Sequence, residues 1–155
     1  NIKLNIAAAL ALCGKSLIAQ DLELANETLN SSLIFSGGQS FNILQMVVSS
    51  LLVTKANLTK CLELIEKYRE NFVEQKQFLA LEFDVLQYTR SPNEILSEGT
   101  NLLRKQVKSH SIYEQVIASS IKVGRRKELV EDIVFEACKD FPTHSDSFKR
   151  YINSL

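Results

Sequence analysis

The sequence predicts an all-α fold of stacked antiparallel helical hairpins, an α-α superhelix, on three observations. Apolar residues recur at steps of three and four along most of the chain, which places them on one face of a helix. Alternation at period two with β-branched residues, the mark of a half-buried strand, occurs over no useful length. Breaks between paired apolar segments fall near Gln20-Asp21, Ala56-Asn57, Arg90-Ser91 and Gly124-Arg125, about every 35 residues, the period of a helix–turn–helix repeat. The expected architecture is about four hairpins plus a terminal helix, one repeat domain over 1–155.

The first pair is expected over 4–18 and 21–34, closed by Phe35-Ser36-Gly37-Gly38, the strongest loop signal in the chain. Ser40 is placed to cap a helix over 41–55 with Phe41, Leu44, Val47, Val48, Leu51 and Leu52 on one face. Asn57 is placed to cap its partner, whose stripe is Leu58, Cys61, Leu62, Ile65 and Tyr68, with Glu63, Glu66, Lys67 and Glu70 largely outside it. From Gln75 a third pair begins, and Phe78, Leu79, Leu81, Phe83, Val85 and Leu86 cover most of a helix circumference, which predicts a buried helix. Ser91-Pro92-Asn93-Glu94 has serine at the cap, proline at the first helical position and glutamate three residues on, a capping box. Gly99 in that helix offers a point of close approach. Ser111-Ile112-Tyr113-Glu114 has the form of a second capping box, and Gly124 ends its helix. The next helix is expected over 127–140, stopped by Pro142. Ser145 or Asp146 then caps a short helix with the stripe Phe148, Tyr151, Ile152 and Leu155.

Two helices per repeat, with the small residues Ala25, Cys61 and Gly99 early in second helices and Leu29, Ile65 and Leu103 four further on, resemble the tetratricopeptide and pentatricopeptide repeat families. Ser111-Ile112-Tyr113, Ile117 and Lys122-Val123-Gly124-Arg125 resemble the opening helix of a pentatricopeptide repeat, and Phe148 is the next aromatic in phase with Tyr113. That resemblance implies base-reading positions at Gln115 and Ser145, a pair that departs from the family's good base-reading combinations. The tryptophan, tyrosine and glycine pattern of the first tetratricopeptide helix is missing.

Composition bounds the function. The 155 residues include 45% hydrophobic and 23% charged residues, as in an ordinary globular protein. Eighteen basic residues balance eighteen acidic ones, which excludes a general electrostatic commitment to nucleic acid or an anionic membrane. No apolar run reaches the roughly 18–20 residues of a membrane span. The start Asn-Ile-Lys lacks the order of a complete signal peptide, and the chain reads as a segment of a longer protein. Cys13, Cys61 and Cys138 are odd in number and far apart, so buried thiols in a reducing, intracellular compartment are expected (cytoplasm or nucleus, or the mitochondrial matrix if RNA is the ligand).

No catalytic, metal or cofactor constellation is expected. His144-Ser145-Asp146-Ser147 holds the residue types of a catalytic triad, but neighbours at a helix start point apart. His110 reads as a solvated linker histidine. Gly37-Gly38 is not followed by Lys-Ser/Thr, so a P-loop is absent. The carboxylate pairs Glu82/Asp84, Glu94/Glu98 and Glu131/Asp132 read as solvated helix faces, and no small-molecule substrate is indicated.

One stretch has uneven charge. Arg104, Lys105, Lys108, Lys122, Arg125, Arg126 and Lys127 meet a single acid, Glu114, and are the candidate contacts for an anionic partner. The helix between them sets the two groups about 20 Å apart at 1.5 Å per residue, two small basic spots near helix C-termini. The expected function is therefore a non-enzymatic protein–protein interaction scaffold whose partner is a helix or extended peptide. The alternative is a pentatricopeptide-like module for single-stranded RNA.

Overall fold

Close packing of small residues shapes the first hairpin, and large apolar residues shape the rest. The computed structural model describes residues 2–72 and 75–153. Among these there are nine α-helices joined by short links, and no strand. By internal packing the chain forms two compact units, Asn1–Phe78 and Leu79–Leu155, with the division falling inside one helix.

The first unit holds α1 (Ile2–Leu17), α2 (Leu22–Ser36), α3 (Phe41–Leu51), α4 (Leu58–Phe72) and the first residues of α5 (Lys76–Leu86). Asp21 caps α2, its carboxylate accepting from the Leu24 amide at 3.0 Å. α1 presents only Ala7, Ala11 and Gly14 to the interior, against Ala25, Leu29 and Ser32 of α2. A Cβ at Gly14 would lie 2.6 Å from Leu29 Cγ and 3.2 Å from the Ala25 carbonyl oxygen. The Ser32 hydroxyl donates to the Ala7 carbonyl at 2.8 Å, which satisfies it in the dry seam. Two axes this close leave no room for larger side chains between them. Ile2, Leu4, Ile6 and Leu12 of α1 are consequently exposed.

α2 ends at Gly37, left-handed at φ +64°, whose amide donates to the Ile34 carbonyl at 3.0 Å. Ser40 occupies the cap position of α3, as expected, but its hydroxyl makes no capping bond. α3 stops at Leu51, short of the expected end at Lys55, and a 3-10 turn (Lys55–Asn57) follows. There Asn57 is buried. Its amide donates to Thr54 Oγ1 at 2.9 Å and its carbonyl accepts from Asn26 Nδ2 at 3.3 Å, a local alternative to further helix. Ile43, Leu44, Val47, Val48 and Leu51 of α3 are buried, as are Cys61, Leu64, Ile65, Tyr68 and Phe72 of α4.

The second unit holds the rest of α5, then α6 (Pro92–Arg104), α7 (His110–Lys122), α8 (Lys127–Asp140) and α9 (Ser145–Ile152). No residue from Phe78 to Leu86 is exposed, as the all-round apolar pattern requires. Two apolar clusters form. Phe83, Ile95, Leu96, Val107, Ile112 and Val116 make one, and Tyr113, Ile117, Val130, Val134, Ala137 and Phe148 make the other. α7 feeds both, with Ile112 and Val116 in the first and Tyr113 and Ile117 in the second, each pair four residues apart. The most extensive helix–helix packing in this unit is between α6 and α7, across a boundary expected to separate hairpins.

The capping box at Ser91 forms: its hydroxyl accepts from the Glu94 amide, and the Glu94 carboxylate accepts from the Ser91 amide at 2.8 Å. The second expected box does not form. Ser109 caps α7, accepting from the Ile112 amide at 3.1 Å, while Ser111 lies inside the first turn and donates to Asp84 Oδ1 at 2.6 Å. Two serines at a helix start compete for the cap, and the half-buried acceptor on α5 takes the second. Nor do Ser145 and Asp146 cap α9, which is preceded by a 3-10 turn (Pro142–His144) with no side-chain cap.

Both α6 and α7 end in a Schellman motif. Gly124 sits left-handed at φ +72°, with Gly124 donating to Ile121 and Arg125 to Ser120. The matching position after α6 is Gln106 at φ +60°, and its amide donates to Leu103 while that of the buried Val107 donates to Leu102. A non-glycine residue there costs roughly 1–2 kcal/mol, less the extra chain entropy that glycine loses on folding. Gln106→Gly is expected to raise the urea midpoint by a stability gain of about 1 kcal/mol, with Gln106→Ala giving no gain.

Candidate interaction surface

Arg104 and Lys105 close α6, exposed at a helix C-terminus where cations are favoured. Lys122 lies in the last turn of α7 and Arg125 in the link that follows, both exposed. Arg126 and Lys127 begin α8, so they meet a helix N-terminus rather than the expected C-terminus. Lys127 Nζ lies 4.0 Å from Glu131. Lys108 is removed from any free set, because its ammonium lies 2.7 Å from Asp140 Oδ2. The 13 residues of α7 hold the two basic groups about 20 Å apart along its axis. Gln115 is half-buried on α7, and Ser145 opens α9 with its carbonyl accepting from Cys138 Sγ at 3.8 Å.

A polar network gathers where none was expected. Asp140 Oδ2 accepts from both Lys108 and the Tyr113 hydroxyl, the latter at 2.5 Å. Tyr113 meets Phe141 and Phe148 edge-on, and the His110 and His144 rings stack with centroids 4.5 Å apart. His110 is therefore a ring-stacked first residue of α7, not a linker histidine. Of the candidate triad, His144 Nδ1 pairs with Thr143 at 3.1 Å and Ser147 donates to Glu114 at 2.8 Å, so the groups do not converge. Asp84 departs from the solvated-face expectation: burial raises its pKa, against the opposing Ser111 hydrogen bond and the nearby His110. The thiols differ as well. Cys61 is buried and pushed up to about 11 by that burial, Cys138 is half-buried, and Cys13 is exposed, contrary to expectation.

The Asp140 network carries a pH signature. Hydrogen bonds from Lys108, then Tyr113, hold its carboxyl below the ordinary range. A folded-state value below the unfolded value of about 4 contributes stability above that pH, and the contribution is lost as pH falls through the folded value. Burial, then Asp140, raises the Tyr113 phenol, so its contribution is lost as pH rises past the unfolded value of about 10. Asp140→Asn is expected to flatten the acid limb of thermal midpoints measured between about pH 2 and 7.

Exposed large apolar residues lie on α1, described above, on α2 (Leu24, Ile34 and Phe35) and on α8 (Leu129 and Phe135). Between α8 and α9 lies a cleft of about 430 Å³ lined by Glu131, Asp132, Val134, Phe135, Cys138, Lys149 and Ile152. Phe135 is 69% exposed beside it, an unusual state for a large aromatic ring. α9 forms one wall because Phe148 is buried, which turns Ile152 and Lys149 toward the cleft. The period of the α9 stripe pointed to Phe148 and Ile152, whereas Phe135 gave no signal, since its neighbours Ile133 and Val134 hid its face.

Among the described residues no group of histidine, cysteine and acidic side chains is placed to hold a metal ion, and no helix is long and apolar enough to cross a membrane. Comparison of the chain with protein-family models, curated proteins and solved structures finds no match. The chain is thus an all-helical, multi-helix protein with pairwise, hairpin-like packing, and its surface must speak for its function.

Proposed function

We propose that this chain is a non-enzymatic protein–protein interaction scaffold, a degenerate helical-hairpin array of tetratricopeptide-like or pentatricopeptide-like type. The observation that carries it is the α8–α9 cleft, apolar in its floor, acidic on its α8 rim and flanked by the exposed Phe135 ring. A helix or extended peptide with an apolar stripe is the matching ligand. Its setting is a reducing intracellular assembly, where an exposed thiol such as Cys13 persists. The RNA alternative has less support, because Lys108 and Lys127 already face carboxylates and phosphate contacts supply most sequence-independent affinity.

The test is affinity purification of the tagged chain, paired with single-stranded RNA binding over a salt series. A stoichiometric protein partner that is lost with Phe135→Glu supports the scaffold. RNA binding that weakens with salt, in the absence of any stoichiometric protein, overturns it.

A further inference from the structure

We propose that the chain's two histidines form a pH-sensitive latch, which holds the turn ahead of α9 against the start of α7 and opens on acidification. The inference goes beyond the scaffold reading and does not depend on what the cleft binds. His110 is the first residue of α7, and His144 ends the 3-10 turn from which α9 departs. Their rings stack nearly parallel, with an interplanar angle of 16° and centroids 4.5 Å apart. His144 is half-buried, with Phe141 edge-on at 6.3 Å and Phe148 at 6.5 Å. The Thr143 hydroxyl, 3.1 Å from His144 Nδ1, fixes the orientation of the ring. The one side-chain type whose charge ordinarily changes between about pH 5 and 8 thus supplies both faces of a packing contact.

Neutral imidazoles stack as aromatic rings, whereas two imidazolium rings at that distance repel. A second unit charge 4.5 Å from the first is disfavoured about threefold even at the dielectric of water and physiological salt, and more where protein excludes water. The surrounding charges decide how many protons the stack accepts. Asp84 on α5 attracts a charge on His110, whereas the start of α7 disfavours one. Other groups nearby are engaged elsewhere. Lys108, ahead of α7, and Tyr113, on α7, both bond Asp140 of α8, while Glu114 of α7 accepts from Ser147 of α9. The Cys138 thiol of α8 donates to the Ser145 carbonyl, and Lys139 of α8 and Asp146 of α9 are exposed to water. Asp84 thus supports one charge on the pair, and a second must meet the first at ring distance. The closed stack binds fewer protons than the opened one, so its stability falls as pH falls through the histidine range. Opening releases the turn 142–144 from α7. α9 keeps its hold through Phe148 and the Ser147–Glu114 hydrogen bond, but the chain leading into it is freed.

The experiment is amide hydrogen exchange on the full chain at about pH 7 and about pH 5, corrected for the intrinsic effect of pH, with circular dichroism to verify folding. The reporting amides are those of Ile112 and Tyr113, bonded to Ser109, and those of His144 and Ser145, bonded to Phe141 and Pro142. Their protection is expected to fall about threefold or more on acidification, while that of Val130 and Val134 in α8 holds. His144→Phe keeps a stacked ring that takes no proton, so protection at neutral pH is retained and the fall disappears. His110→Gln removes the stack at an exposed position, so protection starts lower and shows no fall. Asp140→Asn keeps the fall, because the contribution of that carboxylate is lost only below about pH 4. Raised salt shrinks the fall. Wild-type protection that is unchanged on acidification overturns the proposal, and so does a fall of equal size in both His144→Phe and His110→Gln.

Discussion

Phe148→Ala is expected to destabilise the second unit by about 4 kcal/mol. The ring is 0% exposed and packs among Tyr113, Ile117, Val130, Val134 and Ala137, with Tyr113 edge-on at 6.2 Å between centroids. Truncation removes the transfer free energy of a whole ring and leaves a cavity between three helices. Those helices are also tied together by the Tyr113–Asp140 and Ser147–Glu114 hydrogen bonds, which limits collapse into the gap. Phe148→Leu keeps much of the volume and should cost less than about 1.5 kcal/mol. Phe135→Ala is the decisive control, because the same side chain at 69% exposure should lose no more than about 0.5 kcal/mol. Urea unfolding followed by circular dichroism reads all three, and amide exchange should accelerate in α7 and α8 for Phe148→Ala. Equal costs at 135 and 148 would show that burial of the α9 ring is not what anchors it.

That anchor links packing to function. Ile152 and Lys149 line the cleft only while Phe148 holds α9 against α7 and α8. If the cleft binds a partner as proposed, Phe148→Ala is expected to lower both stability and that binding, and Phe135→Glu the binding alone. The two residues separate the construction of the surface from its chemistry.

Much of this arrangement was legible in the sequence, and the reasons differ by feature. Helix 127–140 and the box at Ser91 follow from local rules, a periodic stripe and a capping pair, and local rules need no knowledge of neighbours. The small positions Ala25, Cys61 and Gly99 are all buried, and Gly99 does mark a close helix approach. What the sequence could not show depends on distant partners. Ser111 looks like a cap until Asp84, 27 residues earlier, takes its hydroxyl. Lys108 looks like part of a basic patch until Asp140 is brought beside it. α1 looks like an ordinary core helix by composition, yet its interior contact is made by its smallest residues, leaving the large ones outside. Hydrophobicity alone does not say which face of an all-apolar helix is turned inward.

Gly99→Leu is expected to cost about 3 kcal/mol, and the effect should run through Val116. At Gly99 the backbone of α6 lies against a side chain of α7 with no room for a Cβ. A Cβ there would overlap Val116 Cγ2 of α7 and lie 3.2 Å from Phe83 Cζ of α5. Two effects oppose each other at this position. Any side chain raises helix propensity over glycine by up to about 1 kcal/mol, while overpacking a filled core costs roughly 1–3 kcal/mol. For Gly99→Ala the difference is a net loss of about 1 kcal/mol, since the overlap involves a β-branched side chain with little rotamer freedom. Leucine adds three more carbons to the same gap, so loss dominates. Val116→Ala removes the opposing methyls, and in that background Gly99→Ala should lose its penalty and keep its propensity gain. The double-mutant cycle is then expected to return a coupling of at least about 1 kcal/mol. Additive costs at 99 and 116 would mean that the helices move apart freely. In that case glycine is not what sets the α6–α7 distance.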